Sequence, residues 1–340
     1  MSVLKGQSIL ITGGTGSFGR KCVEILLRDY APSRLVVFSR DEQKHVDMMR
    51  HQFLTAKHPQ LRYFVGDVRD VGRLHRALEG IDFVIHAAAM KHVDLAEYNP
   101  QECIRTNIGG SENVINACLD AGVKQTVALS TDKAANPINL YGATKLCADK
   151  LFIAANALGG REGTRFAVVR YGNVVGSKGS VVPLFLEQRR SGVLTITDPR
   201  MTHFWITLEE SVRMVVRAFD LMSGGEVFVP KIPSMKLTDL ARAIAPDCRT
   251  ETVGIRPGEK LHEVLITRDD ARTTVELDDC YIIEPALRWW TAGTSFLQRG
   301  GKPVPEDMRY SSDANSSWLS VEQLREMIRP FDPGAAGAGA

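Results

Sequence analysis

Residues 8–12, Ser-Ile-Leu-Ile-Thr, run directly into Gly13-Gly14-Thr15-Gly16-Ser17-Phe18-Gly19, and this junction decides the fold. The first five residues form a short apolar run of the kind buried in a parallel sheet. Glycines at 13, 16 and 19 then lead into an amphipathic pattern over Arg20–Leu27. A strand that feeds a glycine turn and a helix start aims backbone N–H groups and a positive helix end at a pyrophosphate. Gly13, Thr15, Gly16, Ser17, Phe18 and Gly19 are therefore expected to line a dinucleotide site.

Working outward, the same kind of run recurs at Leu35–Phe38, Leu61–Val65, Phe83–His86, Thr126–Leu129 and Phe166–Val169, each followed by a helical pattern. A parallel strand pair needs a crossover helix, so this alternation predicts a Rossmann-type doubly wound parallel sheet in an α/β chain. After Arg170 the rhythm breaks at Gly172, Gly176, Gly179 and Pro183, then resumes with Val227–Val229 and a helix over Leu237–Ala245. The predicted division gives residues 1–172 to the nucleotide-binding domain, with return segments from about 202–230. Residues 173–201 and 231–330 become a smaller C-terminal α/β substrate-binding lobe. Ser320-Val321-Glu322-Gln323 has capping-box form and opens a last helix through Ile328. The 331–340 tail, only Gly and Ala from Gly334, is expected to be disordered.

Ligands of such sheets gather at the carboxyl ends of the strands. An NAD site places an acid on the ribose about twenty residues beyond the glycines, where this chain has Ser39-Arg40. A guanidinium there can pair with a 2′-phosphate, and Lys44 adds charge, which favours NADP. Asp41, one step further, keeps NAD open. Asp67-Val68 follow the third strand and are placed to meet the adenine, although a plain strand-ending turn would look the same.

The 42 basic and 40 acidic residues leave a net charge of +2, which supplies no broad field for nucleic acid. The chain opens MSVLKGQSILIT, without a signal-peptide pattern, and holds no run of about 18 apolar residues, so a cytoplasmic protein with no membrane partner is expected. Six scattered cysteines read as reduced packing residues. His262-Glu263 lacks the second histidine of a zinc motif, since position 266 is isoleucine, and no metal is expected.

The fifth strand ends in Leu129-Ser130-Thr131-Asp132-Lys133, and Tyr141 and Lys145 lie four apart at the start of the next helix, on one face. An ammonium beside a phenol lowers its pKa, so Tyr141 can take a hydroxyl proton while hydride leaves the same carbon. Asp132-Lys133 taken alone would also fit a solvated ion pair on a loop.

These residues, with Asn107-Ile108-Gly109-Gly110 and Arg256-Pro257-Gly258-Glu259, resemble the extended short-chain dehydrogenase/reductases along the whole chain. The run 130–145, STDKAANPINLYGATK, with Arg170–Gly176 and Ile255–Glu263, looks most like the configuration-inverting 4,6-dehydratases of UDP-N-acetylglucosamine, which open pseudaminic acid synthesis. The resemblance implies bound NADP, with Ala87, Lys91, Leu129, Ser130, Tyr141 and Lys145 beside it. It further implies that Tyr141 serves oxidation at C4, with Thr131 beside it. Lys133 becomes the C5 base, Asp132 protonates the departing O6, hydride returns to C6, and C5 is reprotonated from the other face. The product is a UDP-2-acetamido-2,6-dideoxy-L-arabino-hex-4-ulose. For this scheme Lys133 must be neutral part of the time, with desolvation and the Lys145 cation depressing its pKa.

On the substrate side the resemblance implies Lys91 near the sugar, Asn173 near the phosphates or sugar, Arg256 on the pyrophosphate and Glu259 on the ribose. Val181, Thr195 and Met201 would wall the uridine pocket. Arg256 and Glu259 would equally fit an interlobe salt bridge. Related enzymes are homo-oligomers, and a hexamer is expected. Rival readings are a retaining 4,6-dehydratase or 4-epimerase of a UDP-sugar, and a nonenzymatic NADP-sensing scaffold.

Overall fold

A computed structural model describes residues 2–50, 58–159, 163–177, 179–286 and 295–332. Its first half contains β1 (Ser8–Thr12), α1 (Ser17–Ile25), β2 (Arg34–Ser39), α2 (Glu42–Met49), β3 (Leu61–Val65), α3 (Val71–Leu78) and β4 (Phe83–His86). It continues through α4 (Val93–Tyr98), α5 (Pro100–Ile104), α6 (Gly110–Asp120), β5 (Gln125–Thr131), α7 (Leu140–Ala154) and β6 (Arg165–Tyr171). The six strands pair in parallel in the order β3-β2-β1-β4-β5-β6. Consecutive residues of a strand point to opposite faces, yet Ile9, Leu10 and Ile11 are all fully buried, as are Phe166 through Val169. Both faces of the sheet are therefore covered, which is why these strands are continuously apolar rather than alternating.

Beyond β6 the chain leaves the sheet through β7 (Asn173–Val174), α8 (Val181–Gln188), β8 (Val193–Ile196) and β9 (Thr202–Ile206). It returns with α9 (Leu208–Leu221), which lies against α1, and β10 (Val227–Pro230), parallel beside β6. The return thus starts at α9, because β9 pairs with β7 and β11 (Ser234–Lys236) in a separate small sheet. Next come α10 (Leu237–Ile244), β12 (Arg249–Thr252), parallel to β8, and β13 (Val264–Ile266). Val182, Phe185, Met201, Trp205, Leu240 and Leu324 form a second core, distinct from that of the large sheet.

The Thr274–Glu276 and Cys280–Ile283 strands fall in the expected substrate lobe, but they extend the large sheet: Cys280–Ile283 pairs antiparallel with β10, and Thr274–Glu276 pairs antiparallel with Cys280–Ile283. Unpaired, β10 would leave a row of open backbone groups at the sheet edge, and the hairpin closes it. The last helix runs Val321–Ile328 with both bonds of the expected capping box, Ser320 to Gln323 and back. Gly334–Ala340 lies outside the described residues. All six cysteines are free, and Cys22, Cys103, Cys118 and Cys280 are buried packing residues, whereas Cys147 is exposed. Among the described residues no helix is long and apolar enough to cross a membrane, and no group of side chains could hold a metal ion.

Candidate active site

The six strands β1 to β6 deliver their carboxyl ends to one edge, where Ser39 and Thr131 end β2 and β5 and Gly13, Asp67, Ala87 and Asn173 follow β1, β3, β4 and β6. Gly13 has φ +65°, and a Cβ there would sit 2.8 Å from the Ala88 backbone nitrogen. A Cβ on Gly19 would run into the Gly14 backbone. These two positions need glycine, one for a left-handed turn and one for close approach. Gly16 caps α1 without a side-chain bond and no acid lies in the first turn, so the helix start offers N–H groups to an anion. The cradle fits a dinucleotide pyrophosphate. Thr15 donates to Ser39 Oγ at 2.8 Å, tying the turn to the end of β2, and Phe18 packs on the main core.

At the adenine end, Asp41 caps α2 by accepting from Lys44 N at 3.0 Å and pairs with Lys44 Nζ at 2.8 Å. The acid that would mark NAD is thus occupied by the helix it starts. Arg40 extends into solvent, 58% exposed and 3.8 Å from Asp67. Burial raises the Asp67 carboxyl pKa, but hydrogen bonds from Arg69 outweigh it and bring the pKa below its ordinary value. Val68 is buried against Gly110, and Ala87 N donates to the carbonyl oxygen of Thr12.

After β5 the chain turns sharply through Asp132–Ala134, and the Thr131 side chain caps the turn by accepting from Lys133 N. Asp132 is fully buried, which removes the solvated-loop alternative. Lys133 Nζ lies 3.0 Å from Asp132 Oδ1, 3.3 Å from Asn173 Oδ1 and 3.4 Å from Glu263 Oε1, with its side chain 24% exposed. The expected depression of the Lys133 pKa is not found. Burial does favour the neutral amine, but the Asp132 and Glu263 carboxylates outweigh it and drive the pKa up. The phenol of Tyr141 also departs from expectation. Burial dominates and pushes it up to about 12, while the cation that pulls it down is Lys133, aided by a hydrogen bond with Thr131, rather than Lys145. Burial lowers the Lys145 pKa against the pull of Asp149. Asp149 itself accepts from Ser130 Oγ at 2.7 Å and lies 3.4 Å from Arg170, a buried ion pair beneath the site.

Glu263 belongs to this cluster, whereas its sequence context points only to an incomplete zinc motif and to the Ile255–Glu263 segment of the resemblance, with no role of its own. The available signal was a carboxylate placed directly ahead of the wholly apolar strand Val264-Leu265-Ile266, since an acid so close to a core is rarely there without a partner. Burial and the Asp132 charge raise its pKa to about 7 despite Lys133.

Several tethers fix α7. Its N-cap Asn139 accepts from Gly142 N at 2.7 Å and donates to the Gly258 carbonyl oxygen at 2.8 Å, joining this helix to the Arg256–Glu259 loop. Buried Asn107 clamps Met90 N and O and donates to Thr144 Oγ1 at 3.0 Å. Gly142 faces the Lys133 turn so closely that an added Cβ would collide with the Lys133 carbonyl oxygen. Gly142→Ala should therefore displace Lys133 at a cost of about 1–3 kcal/mol. Turnover should fall well over tenfold while cofactor binding, followed by fluorescence titration, stays near wild type.

Of the expected substrate residues, Asn173 meets Lys133 directly. Lys91 opens to solvent at the same cleft, and partial burial and the Lys133 charge lower its pKa. The Arg256 backbone donates to Glu259 Oε2 at 3.2 Å, a turn within the loop rather than a bridge between lobes. Val181 opens α8, Thr195 is held by Gln188 at 2.7 Å, and Met201 is buried in the small lobe's core.

The family model described as polysaccharide biosynthesis protein matches residues 9–285. A Campylobacter jejuni relative named UDP-N-acetylglucosamine 4,6-dehydratase (inverting) is 53% identical over 328 residues, 95% of this chain and 97% of its own. A Rickettsia conorii relative named UDP-glucose 4-epimerase is 37% identical over 334 residues, 96% of each chain. The X-ray structure of Pen from Bacillus thuringiensis superimposes with a TM-score of 0.87 at 37% identity, covering 97% of this chain and 99% of its own.

Proposed function

The chain belongs to the polysaccharide biosynthesis protein family, on the extended short-chain dehydrogenase/reductase fold, and from that premise we propose that it dehydrates UDP-N-acetylglucosamine across C5 and C6 with inversion at C5, using NADP. The observation that carries the reading is the meeting of Lys133, Asp132 and Tyr141 in one buried cleft, with the ammonium close enough to act on the phenol.

A nicotinamide bound along the glycine turn supplies the acceptor for the C4 hydride and its return to C6. Tyr141 takes the proton from O4, and the ketone so formed acidifies the C5 proton. Lys133 removes that proton and passes one to Asp132 across their 3.0 Å contact, and Asp132 supplies it to O6 as the C6–O6 bond breaks and water leaves. A proton returned to C5 from the opposite face gives the L-arabino centre. Two protons leave the sugar, from O4 and C5, and two are delivered, to O6 and C5, so the cycle closes without an external reductant.

Support for NADP comes from Arg40, exposed at the end of β2 and only 3.8 Å from Asp67, while Asp41 is held in its cap. The epimerase reading has the 37% identical relative in its favour, but 4-epimerisation requires no acid or base at C5 and O6, and a fully buried Asp132 beside Lys133 would then serve nothing. The family resemblance carries three further proposals: assembly into a homo-oligomer, a cytoplasmic setting, and entry of the product into pseudaminic acid synthesis.

Incubation with UDP-N-acetylglucosamine should yield a 4-keto-6-deoxy sugar with inverted C5 by proton NMR, and denaturation should release NADP. A gluco-type C5 contradicts inversion. No 4-keto product, with or without added NADP, favours the nonenzymatic scaffold.

A further inference from the structure

The Asp132–Lys133–Glu263 cluster sets a problem for the proposed chemistry, because two carboxylates hold the one amine that must act as a base. Fully ionised, the three groups carry a net charge of −1 in a site where Asp132 is 0% and Glu263 3% exposed. Glu263 Oε1 stands 3.4 Å from Lys133 Nζ, and among the described residues its Oε2 is buried without a hydrogen-bond partner, as is Asp132 Oδ2. The backbone fixes this carboxyl in place, since Glu263 N donates to Ser312 Oγ and Ser312 N to the Glu263 carbonyl oxygen, both at 2.9 Å.

We propose that Glu263 is a positioning residue that also takes the proton of Lys133: an N–H bond on the ammonium breaks, an O–H bond forms on the Glu263 carboxyl, and the resulting amine meets C5 uncharged. The inference rests on the dehydratase reading above. Its physical basis is that the ion pair and the neutral amine–acid pair hold the same atoms, but desolvation penalises only the ion pair. Burial is the largest single influence on both groups and favours the neutral form of each, although at Lys133 the two carboxylate charges together outweigh it, so the transfer depends on further desolvation of the ion pair by bound sugar. A sugar lying over the cleft excludes further water and strengthens that preference.

The surroundings agree. Facing Glu263 are Lys133 and Asp132 from the turn after β5, Lys260 from its own loop, and His203 from β9 at 4.0 Å. His203 is held near pKa 4 by burial and the Lys133 charge, so it stays neutral and does not compete for the proton at neutral pH. Lys260 donates to the carbonyl oxygen of Ala135 at 2.6 Å, which commits it to the Asp132 turn. Glu263, with its pKa raised to about 7, is the acceptor matched to neutral pH.

The test is Glu263→Gln, which keeps the volume and cannot take the proton. Dehydration kcat should fall about 10²–10⁴-fold, the range for a lost proton-transfer group. KM and the single-turnover reduction of bound cofactor should change less than threefold, and the ionisation near neutral pH should vanish from the kcat profile. Glu263→Asp should restore part of the rate, and guards against a misfolded glutamine variant. Infrared difference spectra of the wild type should show a carboxylic-acid band on adding UDP-N-acetylglucosamine that is missing in Glu263→Gln. A glutamine variant with wild-type kcat and pH profile overturns the proposal, as does a wild-type spectrum without that band. If the dehydratase reading itself fails, wild-type enzyme makes no 4-keto-6-deoxy product, a result separate from both.

Discussion

Lys133→Ala should stop product formation and leave cofactor binding intact, with oxidation at C4 slowed but not abolished, because the variant also removes the cation that lowers the Tyr141 pKa. The amine is the group held at 3.0 Å from Asp132, 3.3 Å from Asn173 and 3.4 Å from Glu263. Loss of a proton-transfer group costs about 10²–10⁴-fold in rate, and here the same group positions the acid, so the upper end applies. The variant leaves two buried carboxylates without their cation, which costs about 3–5 kcal/mol where a buried pair is broken, unless one of them takes up a proton. Glu263 is placed to do so, because its pKa is already raised and removal of Lys133 raises it further. Stability should therefore drop less at pH 6 than at pH 8. In single turnover the absorbance of reduced nicotinamide should rise on adding substrate and persist, since the return to C6 needs the C5–C6 alkene. Normal turnover by Lys133→Ala would remove this residue from its role.

Tyr141→Phe should fail one step earlier. The ring packs with Ala96 and Cys103, and phenylalanine preserves that contact, so the fold and the cofactor cradle should remain. What disappears is the hydroxyl that bonds Thr131 and takes the O4 proton. The expected loss is again about 10²–10⁴-fold, read as the rate of bound-cofactor reduction. Because burial holds the phenol at about 12, wild-type C4 oxidation should speed up as the pH rises toward that value. Reduction at the wild-type rate in Tyr141→Phe would show that another group takes the O4 proton.

The parallel sheet was legible because it is buried on both faces, and continuous apolar runs closed by glycines have few other readings. Asp132, Lys133 and Tyr141 were legible because they follow one strand within a dozen residues. Glu263 was not: it lies 130 positions from Lys133, and only the packing of the segment leading into β13 against the turn after β5 brings them together. The pKa directions at Lys133 and Tyr141 were missed because burial and the Asp132 charge act on Lys133 together with the distant Glu263, and because burial outweighs the pull of Lys133 on the phenol. The antiparallel hairpin over 274–283 shows a further limit, because a strand pattern does not say which of two sheets it joins.

The claim beneath all of this is that a single hexose is oxidised by the Tyr141 group and dehydrated by the Lys133 group without leaving the site. UDP-N-acetylglucosamine deuterated at C4 and turned over in ordinary water tests it directly. Deuterium should appear in the product's C6 methyl group of the same molecule, with solvent hydrogen at an inverted C5. Deuterium retained at C4, or lost to solvent, would contradict the account.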